Sequence, residues 1–301
     1  MKNTLITIVG PTAIGKTALS IQLAKYFKSE IISCDSRQFY KEMKIGTAVP
    51  EIEELNAIPH HFIQNRSIFD DYNVGQFEKN ALEKLNILFK KNPIQIMVGG
   101  SGLYVDAVLE GLDNFPKVDP KIRKELSEIL ESEGLIYLQN KLKELDLETF
   151  NTIAIDNPQR VIRALEICIG TGTPYSTFKN KPKSPRNFNS IKIGLNADRE
   201  IIYNRINKRV DIMINNGLID EAKSLYKFKE LNALQTVGYK ELFSYFDDSF
   251  TREFAISEIK KNTRRFAKRQ LTWFKRDKTI LWFDFKVNPK EIINTISTKI
   301  N

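Results

Sequence analysis

The sequence predicts an α/β protein, a parallel sheet flanked by helices and interrupted by an inserted all-helical block. Three observations carry that prediction. LITIV (Leu5–Val9), IQIMV (Ile94–Val98) and IKIGLNA (Ile191–Ala197) are short, predominantly apolar runs, as expected of parallel strands buried on both faces. Segments with helical spacing of apolar residues separate them, the alternation that a parallel sheet requires. Two of the runs end in glycine-rich turns, GPTAIGKT and GGSG, at the strand end where such sheets gather ligands.

The elements follow in order. After the first strand and its glycine loop, TALSIQLAKYF repeats Leu19, Leu23 and Phe27 at a helical interval. EIISCD (Glu30–Asp35) reads as a second short strand ending on a carboxylate. Gln76–Lys91 has helical periodicity and is closed by Asn92–Pro93. The character changes near Gly111–Pro120. From Asp119 to about Gly172 the pattern is helical: IRKELSEILES, then LIYLQNKLKEL, then a helix with Asn157 as its cap and Pro158 in its first turn. TGTPYS and NKPKSPRN make a Pro-, Gly- and Lys-rich connection back to the strand at Ile191. The chain is helical again after Asp198, and KTILWFDF (Lys278–Phe285) reads as the last strand. The implied organisation is a core of residues 1–115 and 190–301 with an inserted helical domain, 116–189.

Composition narrows the class. Of 301 residues, 42% are hydrophobic and 28% charged, as in an ordinary globular chain. No apolar run approaches the roughly 18 residues of a membrane span, and Leu5–Val9 is too short for the apolar region of a signal peptide. No membrane is therefore expected as a partner. Cys34 and Cys168, without a CxxC and with only His60 and His61 as histidines, point away from structural zinc and disulfides and towards a reduced cytoplasm. The two histidines are read as shaping the sheet edge. An excess of nine positive charges favours a polyanionic partner.

GPTAIGKT carries the strongest chemistry. Its glycines let the backbone fold around oxyanions with N–H groups turned inward. Gly10, Pro11, Thr12, Ala13, Ile14, Gly15, Lys16 and Thr17 form the expected phosphate cradle. Lys16 supplies a point charge, Thr17 a hydroxyl for Mg²⁺, and the helix starting there its positive dipole end. A kinase or nucleotide hydrolase would also want an acid at the end of a central apolar strand. Ile94–Val98 ends instead in Gly-Gly-Ser-Gly, and only Asp35 sits at a strand end near the loop. Asp35 is read as a metal ligand, a base or a helix cap. A non-catalytic RNA-binding protein would explain the positive charge but not Asp35, Gln38 and an intact GKT.

Eight motifs then occur in series: GPTAIGKT, CDSRQFY (Cys34–Tyr40), GTAVP (Gly46–Pro50), PHHF (Pro59–Phe62), MVGGSGLY (Met97–Tyr104), DNPQRVIRALE (Asp156–Glu166), VGYKEL (Val237–Leu242) and AKRQLTWF (Ala267–Phe274). Together they resemble the bacterial-type tRNA dimethylallyltransferases, also called tRNA isopentenyltransferases. The resemblance runs from the first strand to about Trp273. It implies a P-loop NTPase-like core whose cradle holds a leaving diphosphate, and an inserted subdomain that binds tRNA. The implied substrates are dimethylallyl diphosphate and the anticodon stem-loop of a tRNA, the enzyme working with Mg²⁺ as a monomer.

The resemblance also implies roles. Asp35 becomes the base that takes a proton from the exocyclic amine of an adenosine beside the anticodon. Arg209, on the helix RINKRVDIMINNGL, reaches the diphosphate, with Arg205 as the lesser match. Asp35, Ser36, Arg37, Gln38, Ser101, Arg123, Gln159, Arg160, Val161, Ile162 and Arg163 fall on the tRNA side. Gln38 could read the adenine edge with its amide. The departures from the family pattern are Arg37 for an apolar residue, Val49 for a lysine, and Ser101 for a threonine. Arg37 would depress the pKa of the neighbouring acid or touch RNA, and Val49 removes one phosphate contact. Lys260–Lys278 is dense in lysine and arginine, and is read as contacting RNA with a core face at Ile256, Ile259, Phe266 and Trp273.

Overall fold

The computed structural model describes residues 2–179 and 185–300. Residues 180–184 of the NKPKSPRN connection lie outside them. The described chain forms two compact units, residues 1–110 with 186–301 and residues 111–185. The sequence reading put the junctions at 115/116 and 189/190.

The first unit is built on a six-stranded parallel sheet. The apolar runs supply its centre: β1 (Thr4–Val9) is buried along its whole length. The glycine loop turns it into α1 (Lys16–Phe27). β2 (Ile31–Ser33) stops two residues before Asp35, because the chain turns there: Asp35 Oδ1 accepts from the Arg37 N–H at 3.2 Å and its carbonyl accepts from the Gln38 N–H at 3.2 Å. A short α2 (Ile52–Ala57) leads to β3 (His60–His61), an edge strand of two residues. α3 (Val74–Phe89) starts earlier than its apolar pattern suggests, since Asn73 accepts from the N–H groups of Gly75 and Gln76 while Gln76 bonds back to Asn73. β4 (Ile94–Val98) and α4 (Gly102–Glu110) complete this part.

The second unit holds α5 (Pro120–Leu145), α6 (Leu147–Thr152) and α7 (Pro158–Thr171). α5 is broken at Gly134, whose φ of 81° leaves the helical region, so the two periodic segments read from sequence are two helical arms. Asn157 caps α7, accepting from the N–H groups of Gln159 and Arg160. Leu126, Leu138, Leu142, Val161, Ile162, Ala164, Leu165 and Cys168 form this unit's own core. Ile169, one turn beyond Leu165, is 39% exposed and lies past the buried stripe of α7.

The chain re-enters the first unit through β5 (Asn189–Asn196), which pairs with β1 from Thr4↔Asn189 to Val9↔Gly194. α8 (Arg199–Asn215), α9 (Leu218–Leu225), α10 (Tyr239–Phe246) and α11 (Arg252–Phe274) follow. β6 (Leu281–Asp284) is shorter than KTILWFDF, since Asp277 accepts from both the N–H and the hydroxyl of Thr279 and bends the chain before Leu281. α12 (Pro289–Ile300), absent from the sequence reading, buries Ile292 and Ile296 beside α1. Sheet order is β3-β2-β4-β1-β5-β6, so the glycine loop leaves a central strand with β4 beside it. That adjacency brings GPTAIGKT, Asp35 and GGSG to one edge.

Candidate active site

The phosphate loop is fixed by backbone conformations that few residues tolerate. Gly10 (φ 142°) packs so closely that a Cβ there would stand 2.6 Å from the Leu195 carbonyl oxygen. Ala13 and Gly15 also have positive φ, 62° and 109°, which turns successive N–H groups towards one centre. Ala13 and Ile14 have buried side chains, so they contribute backbone rather than side chain. Arg205 clamps the loop from outside, Nε donating to the Ala13 carbonyl at 2.7 Å. Lys16 Nζ folds back onto the Pro11 carbonyl at 2.8 Å. Arg209 Nη1 reaches the Thr12 hydroxyl at 3.4 Å. Arg209 is thus the loop's inner cation and Arg205 its outer brace.

Across the opening stands the turn that follows β2. Ser101 Oγ accepts from the Ser36 N–H at 3.0 Å and bonds the Ser36 hydroxyl at 3.1 Å, so serine in place of threonine keeps the contact that matters. Gln38 is committed elsewhere than an adenine edge: its Nε2 donates to the carbonyls of Thr47 and Ala48 at 3.1 and 2.9 Å, while its Oε1 faces the Ser33 hydroxyl at 3.4 Å. It therefore holds the GTAVP loop. Arg37 likewise points away from the cavity, Nη1 donating to the carbonyls of Asn232 and Ala233 at 2.8 and 2.9 Å. Burial lowers its pKa below the usual arginine value, with Tyr40, Tyr104 and Asp35 opposing that shift.

Between the two walls lies a cavity of about 580 Å³. Lys16, Thr17, Asp35, Gln38 and Arg209 line it together, with Val49, Ile63, Ile212 and Met213 as apolar wall. Lys44 also lines it, four residues beyond Tyr40 and close in sequence to Val49, so the rim keeps a lysine where Val49 carries none. Burial drives the Lys16 ammonium down to about 8, Asp35 pulling it back up and Arg209 pushing it further down. The Arg209 guanidinium is shifted down for the same first reason, then by Arg205. Asp35 opposes both shifts and Glu54 the second, yet burial outweighs them, so the two desolvated cations gain when a polyanion arrives.

Mg²⁺ takes most of its shell from waters and substrate phosphates, with one or two protein oxygens. Among the described residues no group of three His, Cys, Asp or Glu side chains is placed to hold a metal. The Thr17 hydroxyl and Asp35 carboxylate on one cavity fit a metal that arrives with a diphosphate, and not one caged by protein.

The remaining predicted residues belong to the helical unit. Glu166, almost fully buried, accepts from Arg163 Nη1 at 3.0 Å and Arg123 Nη1 at 3.1 Å, and Arg123 Nη2 donates to Gln159 Oε1 at 3.0 Å. Gln159 and Arg160 are exposed. Val161 and Ile162 are corrected: at 0% and 1% exposure they are core residues of α7, and their side chains meet no ligand. On α11 the charge run is uneven. Lys260 pairs with Asp211, Lys261 with Glu258, and Arg264 with Asn207, whereas Arg265, Lys268 and Arg269 are exposed. The buried face is Ala255, Ile259, Ala267, Gln270 and Phe274. Phe266 is outside it, 38% exposed with the Arg269 guanidinium over its ring.

Residues 38–277 match the family model described as IPP transferase. The chain belongs to that family. It is 62% identical over 304 residues to a tRNA dimethylallyltransferase of Flavobacterium psychrophilum, covering 99% of each chain. It is 64% identical to one of Christiangramia forsetii over the whole of both. Among solved structures it is similar to the tRNA isopentenylpyrophosphate transferase of Bacillus halodurans, with 40% identity, TM-score 0.74, and 99% and 97% of the two chains covered. It is also similar to a eukaryotic dimethylallyltransferase acting on tRNA, with 28% identity, TM-score 0.79, and 94% and 74% covered. For an IPP transferase, sequence reasoning missed two supporting residues. Glu221 accepts from the N–H groups of Lys44, Ile45 and Gly46 and from the Tyr239 hydroxyl, which pins the GTAVP loop. Gln270 joins the two glycine loops. The signal for Gln270 was its place with Ala267 and Phe274 on the unbroken face of a basic helix.

Proposed function

We propose that this chain transfers the dimethylallyl group of dimethylallyl diphosphate to the exocyclic amine of the adenosine on the 3′ side of a tRNA anticodon, as a cytoplasmic monomer. The observation that carries the reading is one cavity lined by both a phosphate loop with its lysine and the carboxylate of Asp35 on the turn after β2, with Glu51 and Glu54 of the α2 end also on its wall. A diphosphate seated on the loop meets Lys16 and Arg209, and the helix dipole of α1 points the same way. The adenine nitrogen attacks the allylic carbon. Its lone pair forms the new C–N bond as the C–O bond breaks, and that electron pair leaves on the diphosphate oxygen. Asp35 accepts the proton that the nitrogen must lose.

Lys16 and Arg209 are already placed where the leaving charge grows, so they stabilise the transition state more than the ground state. The Thr17 hydroxyl would hold Mg²⁺, which would supply further neutralisation of the diphosphate. Val49, Ile63, Ile212 and Met213 give the allyl group an apolar wall, and RNA laid over the opening keeps water from it. Arg123, Gln159, Arg160 and Arg163 of the helical unit, and Arg265, Lys268 and Arg269 of α11, are the surfaces offered to tRNA phosphates and bases.

The test pairs unmodified tRNA with either labelled dimethylallyl diphosphate or ATP labelled at its terminal phosphate. Label is expected in RNA from the allyl donor alone. Asp35→Asn should slow single-turnover transfer by about 10²- to 10⁴-fold, the worth of a general base, with tRNA affinity retained. Phosphate release from ATP without allyl transfer would overturn the reading in favour of a kinase or hydrolase.

A further inference from the structure

Gln270 sits on α11, 5% exposed, in the middle of a helix otherwise marked by cations. Its Oε1 accepts from the Thr12 N–H at 2.8 Å, and its Nε2 donates to the Gly100 carbonyl at 2.9 Å. One amide thus ties the phosphate loop to the GGSG turn. Each end continues into the site. Thr12 carries the hydroxyl that Arg209 approaches. Gly100 precedes Ser101, whose hydroxyl holds Ser36, the neighbour of Asp35.

We infer that Gln270 is a positioning residue for the transfer, its buried amide setting the separation between the loop that holds the leaving diphosphate and the turn that carries Asp35. The inference rests on the proposed transfer reaction, in which both walls must address one allylic carbon at once. Only a side chain with an acceptor and a donor on opposite sides can make both bonds. The fit leaves no slack: a Cβ on Gly100 would stand 2.2 Å from Gln270 Nε2, and one on Gly102 would stand 2.3 Å from the Trp273 ring one turn along α11. Trp273 Nε1 also donates to Asp106 at 3.0 Å. The helix is therefore keyed to the turn at two successive points, and the same helix displays Arg265, Lys268 and Arg269 at its surface. A rigid rod with cations outside and the loop clamp inside holds the two walls in register.

The experiment uses the full chain carrying Gln270→Met, which keeps the volume and loses both bonds, or Gln270→Glu. The second keeps the acceptor for Thr12 but sets a carboxylate oxygen against the Gly100 carbonyl. Hydrogen exchange of the peptide containing Thr12, measured without any substrate, should quicken in Gln270→Met and stay protected in Gln270→Glu. Single-turnover transfer at saturating tRNA and allyl donor should fall about 10- to 100-fold in both, the scale of a 1 Å misplacement, with tRNA affinity unchanged. Wild-type transfer rates in both variants would overturn the inference. So would a loss of tRNA affinity that matches the loss of rate, or two variants with no cooperative unfolding transition, which would make Gln270 a packing residue. Failure of the wild-type chain to transfer would instead reject the reaction, while the exchange comparison would still report the clamp.

Discussion

Lys16 holds a positive charge where burial penalises it, and that fixes the sign of a pH effect. Its ammonium titrates at about 8 in the protein against 10.5 for a free lysine. Below pH 8 the charge is in place to meet a diphosphate, so this group adds no pH dependence to binding there. Above pH 8 the free site loses the proton while the complex, with anionic oxygens beside Lys16, keeps it. Binding must then take up a proton, and diphosphate affinity should weaken by up to about tenfold per pH unit, the limit for one linked proton. Titration calorimetry in buffers of different ionisation enthalpy should show that uptake at pH 9, and Lys16→Ala should bind weakly with no such uptake. Stability of the unliganded protein runs the other way. Between pH 8 and 10.5 the unfolded chain holds more of this proton than the folded one, so Lys16 makes the folded state more stable as pH rises through that window.

At the scale of elements, the GTAVP segment is a loop with no regular structure of its own, held by side chains from elsewhere. Glu221 of α9 takes three consecutive N–H groups at 3.0, 2.7 and 2.9 Å, Tyr239 of α10 bonds the same carboxylate at 2.7 Å, and Gln38 takes the next two carbonyls. Gly46 lies against the Tyr239 ring so closely that a Cβ would be 2.6 Å from it. Glu221→Ala strands several partly buried donors at about 1–3 kcal/mol each. We expect a loss of about 2–4 kcal/mol in denaturant unfolding, and looser allyl-donor binding as Lys44 and Val49 move. Tyr239→Phe, which removes one bond and keeps the ring, should cost about 1 kcal/mol. The same loop shows what the sequence could and could not tell. Strands β1 and β4 were legible because burial on both faces writes a nearly continuous apolar run, β5 because Ile191, Ile193 and Leu195 are buried on either side of Lys192 and Gly194, and Asn157 because capping is local. GTAVP and VGYKEL were readable as motifs, but their pairing through Glu221 joins residues some 175 positions apart, and no local pattern encodes that. His60–His61 is too short for periodicity to register as a strand. Phe266 was misplaced because charged neighbours blur the apolar stripe of α11, whose true face runs through the small Ala255 and Ala267.

For the whole molecule, charge is divided unevenly between the two units. Residues 111–185 contain 11 Lys and Arg and 11 Asp and Glu, so the entire excess of nine positive charges belongs to the unit that holds the sheet. The salt-dependent attraction to any polyanion scales with phosphates neutralised, about 0.9 in logarithmic slope for each on a duplex and less on single strands. It should therefore come from the sheet unit, while the neutral helical unit contributes directed contacts such as the arginines that Glu166 holds in place. Removal of residues 111–185 separates these contributions. The cut is feasible because the flanking segments meet within the sheet unit: the Arg186 guanidinium donates to the Ala107 carbonyl at 2.6 Å and pairs with Glu78, close to where α4 ends at Glu110. A short Gly-Ser bridge from Glu110 to Arg186 should leave the cavity intact, since every residue lining it lies outside the deleted stretch. The shortened protein is expected to bind diphosphate as the full chain does and to retain RNA affinity with nearly the full salt slope. It should no longer prefer a substrate tRNA over an unrelated RNA of equal length. Filter binding across a salt series with both RNAs checks this. A preserved preference would move recognition into the sheet unit, and a collapsed salt slope would show that the positive charge acts on RNA only when the helical unit is present.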